Sequence, residues 1–195
     1  MSPVTHFLIG WSIANSCDIS RKERLLVTLA AIIPDIDGAG IILDFSSGAQ
    51  VNQLKFWSNY HHLLGHNIGF CLLFTLMAFA FANRKVVTSL MVLLSFHIHL
   101  FCDLIGSRGP DGYQWPIPWL LPFNSGWNLT WKGQWSLNSW PNFAITLVFI
   151  VIVLFQALRS GRSPLEFASQ RADRAFVDTL RNRFRTSSAN SETAE

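Results

Sequence analysis

Long apolar runs separated by short polar connections dominate the chain. Three runs have the length and composition of membrane-buried helices, at residues 67–82, 86–106 and 141–158. Two shorter apolar segments precede them, at residues 3–17 and 25–33. The pattern therefore predicts an all-α fold, an integral membrane helical bundle of about four to five membrane-associated helices.

The predicted organisation is one membrane domain followed by a tail. We expect residues 1–162 to form the membrane-embedded helical domain that carries the candidate metal site. Residues 163–185 place apolar positions at helical spacing among arginines, which predicts an amphipathic cytoplasmic helix on an anionic membrane surface. The last ten residues, TSSANSETAE (186–195), are expected to be disordered.

Tryptophan is concentrated in one connection. Residues 106–140 contain six of the eight tryptophans of the chain. Because an indole ring favours the headgroup layer, we expect a Trp-rich loop on the membrane surface, over the site. An ordinary aromatic-packed loop is the alternative.

Composition and charge agree with a membrane protein. Half of the residues are hydrophobic and 14% are charged, against roughly 25% in an ordinary soluble domain. The net charge is only +3, and the basic residues cluster at the short connections, so no direct nucleic-acid binding is expected. The three cysteines are far apart and predict neither a disulfide framework nor a CxxC site.

The basic connections also predict the topology. The positive-inside rule places the N-terminus outside and the tail inside a multi-pass protein. The residues that this rule makes cytoplasmic are Arg21, Lys22, Arg24, Arg84, Lys85, Arg159 and Arg162. With this topology, the histidines and the aspartates of the apolar segments all lie at the opposite end of the bundle.

Those polar residues have the chemistry of metal ligands. His99 and Asp103 are four residues apart, so a helix presents them on one face. Asp35 and Asp37 follow Pro34, where a helix is expected to break and both carboxylates can converge on one ion. The alternatives are a packed core histidine beside a structural aspartate, and a simple helix stop.

A histidine-rich stretch opens the third apolar segment. It reads HHLLGHN and contains His61, His62 and His66. Histidines in apolar surroundings of this kind are rare unless they pair or serve a site. His97 is offset from His99 by two residues, so we expect it to point elsewhere and to act structurally or behind the ligands.

The motifs PDID, HHLLGH and HIHLFCD together resemble a family of small bacterial inner-membrane proteins described as membrane-bound metal-dependent hydrolases, some of them LexA-binding. The resemblance covers residues 1–123 and implies a bacterial inner (cytoplasmic) membrane location. Asn67 stands where the family commonly has Ser, and His62 where it commonly has Arg. The implied metal ligands are His6, Asp35, Asp37, His61, His66, His99 and Asp103.

The family is distantly similar to zinc-dependent phospholipase C and the single-strand zinc nucleases, which gather His and Asp ligands from several helices. This likeness implies one or two Zn²⁺ ions, with Mn²⁺ as the alternative, and cleavage of a phosphoester that is a lipid or lipid-linked. Asp37 and His61 are expected to act as further ligands or as the general base.

Two other functions stay open at this point. The first is a non-enzymatic membrane protein with a structural metal site that contacts a partner protein through its basic C-terminal tail. The second is a transporter of metal ions or protons, since His and Asp in membrane helices also form such pathways. A cluster confined to one end of the bundle argues against the transporter.

Overall fold

A computed structural model describes residues 1–39, 46–48, 63–109 and 112–192 of the chain. Its α-helices are α1 (Pro3–Ala14), α2 (Arg21–Ala30), α3 (Ile68–Phe81), α4 (Lys85–Gly106), α5 (Trp140–Ser160) and α6 (Gln170–Glu192). Two short 3₁₀ helices cover Ile33–Ala39 and Pro164–Phe167. The described residues contain no β-strand, so the all-α prediction is confirmed for this part of the chain.

Side-chain caps define where α2 and α3 begin. Ser20 and Glu23 form a reciprocal capping box, which starts α2 at Arg21 rather than at the first apolar residue, Leu25. The Asn67 side chain accepts from Phe70 N at 2.9 Å and so begins α3. The capping box of α2 lies outside the apolar run 25–33, which is why hydrophobicity alone misplaces the start of this helix.

Helix α1 lies at the centre of the bundle. It packs against α2, α4 and α5, while α3 packs on α4 and α4 on α2. A Cβ at Gly10 would lie 2.6 Å from the Ala31 side chain, so glycine allows α1 to approach the end of α2 closely. This approach brings the start of α1 beside the segment that follows α2.

In the part of the chain that the structure describes, two helices, α4 and α5, are long and apolar enough to cross a membrane, by length and composition. Helix α3 is apolar but shorter. Phe143, Leu147 and Val151 are exposed on α5, as expected for a surface that faces lipid. The structure thus supports a membrane protein with two candidate spans, and the count of four to five membrane-associated helices stays a prediction.

The basic connections meet at one end of the bundle. The Arg84 backbone N–H donates to Glu23 Oε1 at 2.6 Å, which joins the start of α4 to the start of α2. Asn15 Nδ2 donates to Ser160 Oγ at 3.2 Å, which joins the ends of α1 and α5. Helix α6 also begins at this end, and its backbone continues into residues 186–192, where the sequence predicts a disordered tail.

Candidate metal centre

The opposite end of the bundle holds a buried cluster of histidines and aspartates. His6 comes from the first turns of α1, His99 and Asp103 from the second half of α4. Asp35 and Asp37 lie on the 3₁₀ helix that follows α2, and His66 on the turn before α3. Four separate segments of the chain therefore supply the cluster.

Gly65 allows the His66 turn to reach the aspartates. A Cβ at this position would lie 2.2 Å from the Pro34 carbonyl oxygen, so no larger residue fits without moving the backbone. The Gly65 N–H donates to Asp37 Oδ2 at 3.2 Å. This contact fixes the turn against the 3₁₀ helix and places the His66 ring between Asp37 and Asp103.

Four side-chain atoms converge at the centre of the cluster: His66 Nε2, His99 Nε2, Asp35 Oδ1 and Asp103 Oδ2. Asp103 Oδ2 lies 3.0 Å from His99 Nε2 and 3.3 Å from His66 Nε2. Asp35 Oδ1 lies 3.6 Å from His99 Nε2 and 3.8 Å from His66 Nε2. The two histidine nitrogens are 3.1 Å apart.

These separations fit one small metal ion. Zinc bound tetrahedrally at about 2.0–2.1 Å from each ligand requires ligand atoms roughly 3.3–3.4 Å from one another. Of the six separations among the four atoms, the five that involve a histidine nitrogen lie between 3.0 and 3.8 Å. Two imidazole nitrogens and two carboxylate oxygens are also a donor set that zinc accepts.

The outward-facing nitrogens of both histidines support the same conclusion. His99 Nδ1 donates to the Ala31 carbonyl at 2.8 Å, and His66 Nδ1 donates to Asp37 Oδ2 at 3.1 Å. Both acceptors lack a proton to give, so each neutral ring carries its hydrogen on Nδ1 and turns the Nε2 lone pair inward. Two lone pairs 3.1 Å apart, beside two carboxylates, require a proton or a cation between them.

The electrostatics of the cluster show the same need for positive charge. Burial disfavours a charged His66, but hydrogen bonds to Asp103 and Asp37 outweigh it and raise the pKa of His66 to about 9. Burial, and then the negative charge of Asp103, raise the pKa of Asp35. Carboxylates and histidines packed this closely are stabilised together only when positive charge is shared among them.

His6 lies on the other side of Asp103. Its Nε2 is 3.2 Å from Asp103 Oδ1, and its ring centroid is 4.0 Å from that of His99. The Met1 ammonium also contacts Asp103 Oδ1. Among the described residues, His6 Nδ1 and Asp35 Oδ2 are buried without a hydrogen-bond partner. His6, Asp35, His99 and Asp103 each offer one atom, all within 4.8 Å of one another.

The structure thus brings together five of the predicted ligands: His6, Asp35, His66, His99 and Asp103. Asp37 lies behind His66 and contacts the outward nitrogen of its ring. His61, and with it His62, lies outside the described residues. His97 points away, with Nδ1 2.8 Å from the Leu93 carbonyl and its ring against Trp119.

Sequence reasoning missed the groups that support the ligands from behind. Gln134, in the Trp-rich loop, is buried and donates to the Asp103 carbonyl at 2.9 Å and to Ser107 Oγ at 3.1 Å. Trp135 N donates to the Ile105 carbonyl at 3.0 Å, so the loop packs on the end of α4 that carries the site. Most of these acceptors are backbone carbonyls, which leave no signal in a sequence.

The fold and this cluster define a helical membrane protein with a candidate His/Asp metal centre. The family model of the YdjM inner membrane protein matches residues 1–170, and the chain belongs to this family. The match confirms the inner-membrane family that the motifs predicted, while hydrolysis, LexA binding and the likeness to zinc phosphoesterases stay predictions. Searches of curated proteins and of solved structures found no match.

Proposed function

We propose that the chain is a membrane-bound metal-dependent hydrolase that cleaves a phosphoester of a lipid or lipid-linked molecule. One observation carries the proposal. Two histidines, each held by a hydrogen bond from its outer nitrogen, direct their Nε2 atoms at two aspartate oxygens at the spacing of a tetrahedral metal site.

The ligands of this metal would be His66, His99, Asp35 and Asp103, with Zn²⁺ as the first candidate and Mn²⁺ as the alternative. His6, beside the second oxygen of Asp103, would hold a second ion. A bound zinc ion supplies a water with a pKa near 7 and polarises a phosphoryl oxygen.

The protein's own groups have separate parts in this proposal. Asp37 holds the His66 ring in one orientation and tautomer. Asp35 Oδ2 is not hydrogen-bonded to any described residue, which suits it to accept a proton from the attacking water. The sequence predicts Asp37 and His61, not Asp35, as general base or further ligand, and for His61 this stays a prediction.

The depth of the site supports a lipid phosphoester as the substrate. His99 and Asp103 lie seven and three residues before Gly106, the last residue of α4. At 1.5 Å per residue, the site is about 5–10 Å from the end of a candidate membrane span. Thr5 Oγ1 is 2.7 Å from Thr146 Oγ1, which places the start of α1 at a similar depth on α5. The site would therefore lie just below the headgroup layer, which begins at the end of the span and contains the lipid phosphates.

Of the four proposed ligands, Asp35 is the most exposed to solvent. The side chains of His66, His99 and Asp103 are at most 2% exposed, whereas that of Asp35 is 15% exposed. Catalysis requires an open coordination position, which the substrate would reach past Asp35.

The same burial favours a second candidate, a closed structural metal site in a non-enzymatic protein that contacts a partner through its tail. Cobalt substitution separates the two, because added phosphate changes the visible spectrum of Co²⁺ only when a coordination position is open to solvent.

The direct test is phospholipid hydrolysis in mixed micelles by purified, zinc-loaded protein. Wild type should release a water-soluble headgroup or phosphate product, and His66→Ala should reduce the rate by at least 10²-fold. His97→Ala is the matched control, since His97 lies on α4 outside the cluster, and it should retain the rate. Zinc-loaded wild type that releases no product from a broad panel of phospholipids and lipid-linked phosphates contradicts the hydrolase.

A further inference from the structure

Helix α6 is fastened to the end of a membrane span. The Arg181 guanidinium donates to the Leu158 carbonyl from Nε at 3.2 Å and from Nη2 at 3.0 Å. Leu158 lies in the last turn of α5, whose final residues include Arg159. Because a span ends where the headgroup layer begins, this contact holds the middle of α6 at headgroup depth.

Two buried polar contacts fix the segment that leads into α6. Arg24 forms a two-pronged ion pair with Glu166, Nε to Oε1 at 2.8 Å and Nη2 to Oε2 at 2.5 Å. Asp173 Oδ1 accepts from both the N–H and the hydroxyl of Ser163, each at 2.6 Å. Val177 is buried one turn further along. The helix therefore leaves the bundle in one defined direction.

The outer surface of α6 is basic and aromatic. Arg171 and Arg174 are exposed, and Phe176, which follows them in the sequence, is 36% exposed. Leu165, just before the helix, is 41% exposed. Asp173 is buried and accepts from Ser163, while Asp178 is exposed one turn after Arg174. The exposed charge on this part of α6 is still predominantly positive, since Asp178 is outnumbered by the exposed arginines Arg171, Arg174, Arg181 and Arg183.

The neighbouring connections extend this positive surface. Arg21 Nη2 donates to the Phe167 carbonyl at 3.4 Å, which places the start of α2 beside the start of α6. Lys22 and Lys85 are exposed at the same end of the bundle. Helical arginines and an aromatic ring at headgroup depth complement a surface of anionic lipid.

We infer that α6 is an interfacial anchor that binds anionic phospholipid headgroups at the membrane surface opposite the metal centre. The helix contributes the basic groups, and Arg181 and the Arg24–Glu166 pair set its depth. A lipid surface is the occupant that this depth favours, because a span and the helix fastened to it meet the same headgroup layer.

The test is hydrogen exchange of α6 in the full-length protein, reconstituted in lipid nanodiscs of phosphatidylcholine alone or mixed with phosphatidylglycerol. Wild-type α6 should exchange more slowly in the anionic discs, and salt should reduce the difference. Each basic residue near an anionic surface contributes roughly fivefold to binding, so Arg171→Gln with Arg174→Gln should remove most of the difference.

Two further variants serve as controls. Asp178→Asn removes an exposed negative charge from α6 and should enlarge the difference between the discs. Lys132→Gln removes an exposed positive charge at the metal-centre end. This variant should leave the difference in α6 exchange between the two discs unchanged. Equal exchange of wild-type α6 in both discs, with the α4 peptides still protected, overturns the inference. So does a double arginine variant that behaves as wild type.

Discussion

Asp37 accepts a hydrogen bond from His66 Nδ1 at 3.1 Å, which leaves His66 Nε2 facing Asp103. A carboxylate behind a ligating histidine fixes the ring and its tautomer. In the proposed metal centre Asp37 would therefore act through His66, whereas Asp35 directs its own oxygen into the cluster.

The first prediction separates these two roles. Asp37→Asn should weaken metal binding by about 10–100-fold, as loss of such a supporting group commonly does, and should retain full stoichiometry at saturating metal. Asp35→Asn should reduce the number of bound metal ions, or weaken metal binding more than Asp37→Asn does, because this substitution removes a ligand carboxylate. Competition with a chromophoric chelator measures both affinities, and equal behaviour of the two variants would contradict the assignment.

A second prediction concerns the close approach of the His66 turn. Gly65→Ala should destabilise the protein by about 2 kcal/mol or more, since the added Cβ meets the Pro34 carbonyl oxygen at 2.2 Å. Thermal unfolding in detergent measures the change. Gly126→Ala is the control, because the added Cβ would lie 3.5 Å from the nearest atom, Asn124 Oδ1. This variant should leave the midpoint of thermal unfolding unchanged.

The motifs predicted much of the site because their geometry is local. The four-residue spacing of His99 and Asp103 places both on one face of α4, and Pro34 ends the regular helix before Asp35. The meeting of α1 with these segments depends on Gly10 and on the central position of α1, which is a tertiary property. The contact of Asp37 with His66 could not be predicted from the sequence either. Spacing alone does not distinguish a residue that binds the metal from one that supports a metal-binding histidine.

The membrane-spanning helices and the helix boundaries were harder to predict from the sequence. Apolar runs predict α3, α4 and α5, yet among the described helices α4 and α5 alone are both long and apolar enough to cross a membrane. The start of α2 was misplaced because its capping box consists of polar residues outside the apolar run. The support from Gln134 depends on a carbonyl acceptor of α4 and could not be predicted from residue types.

A third prediction uses the buried carboxylate at the basic end. Burial alone would raise the pKa of Glu23, but hydrogen bonds from Ser20, Arg84 and Thr88 outweigh it and lower the pKa to about 2. A folded-state pKa below the ordinary value of 4.5 stabilises the protein above pH 4.5. That stabilisation should be lost as the pH falls from about 4.5 to about 2.

Glu23→Gln tests this dependence. The variant should unfold at a lower temperature than wild type at pH 7, since the amide cannot accept all of these hydrogen bonds. The difference between the two proteins should shrink steadily below pH 4.5, as Glu23 of the wild type is protonated. A difference in unfolding temperature that stays constant over this range would show that Glu23 is not the titrating group.

The most direct test of the metal centre is elemental analysis of the detergent-purified protein, for wild type beside His99→Ala and Asp103→Ala. His97→Ala is the matched control on the same helix. We predict about one zinc or manganese ion per chain, or two if His6 holds a second, retained in His97→Ala and lost in the other two variants. Wild-type protein that stays metal-free after incubation with Zn²⁺ and Mn²⁺ would contradict the metal centre and leave the histidines as packing groups.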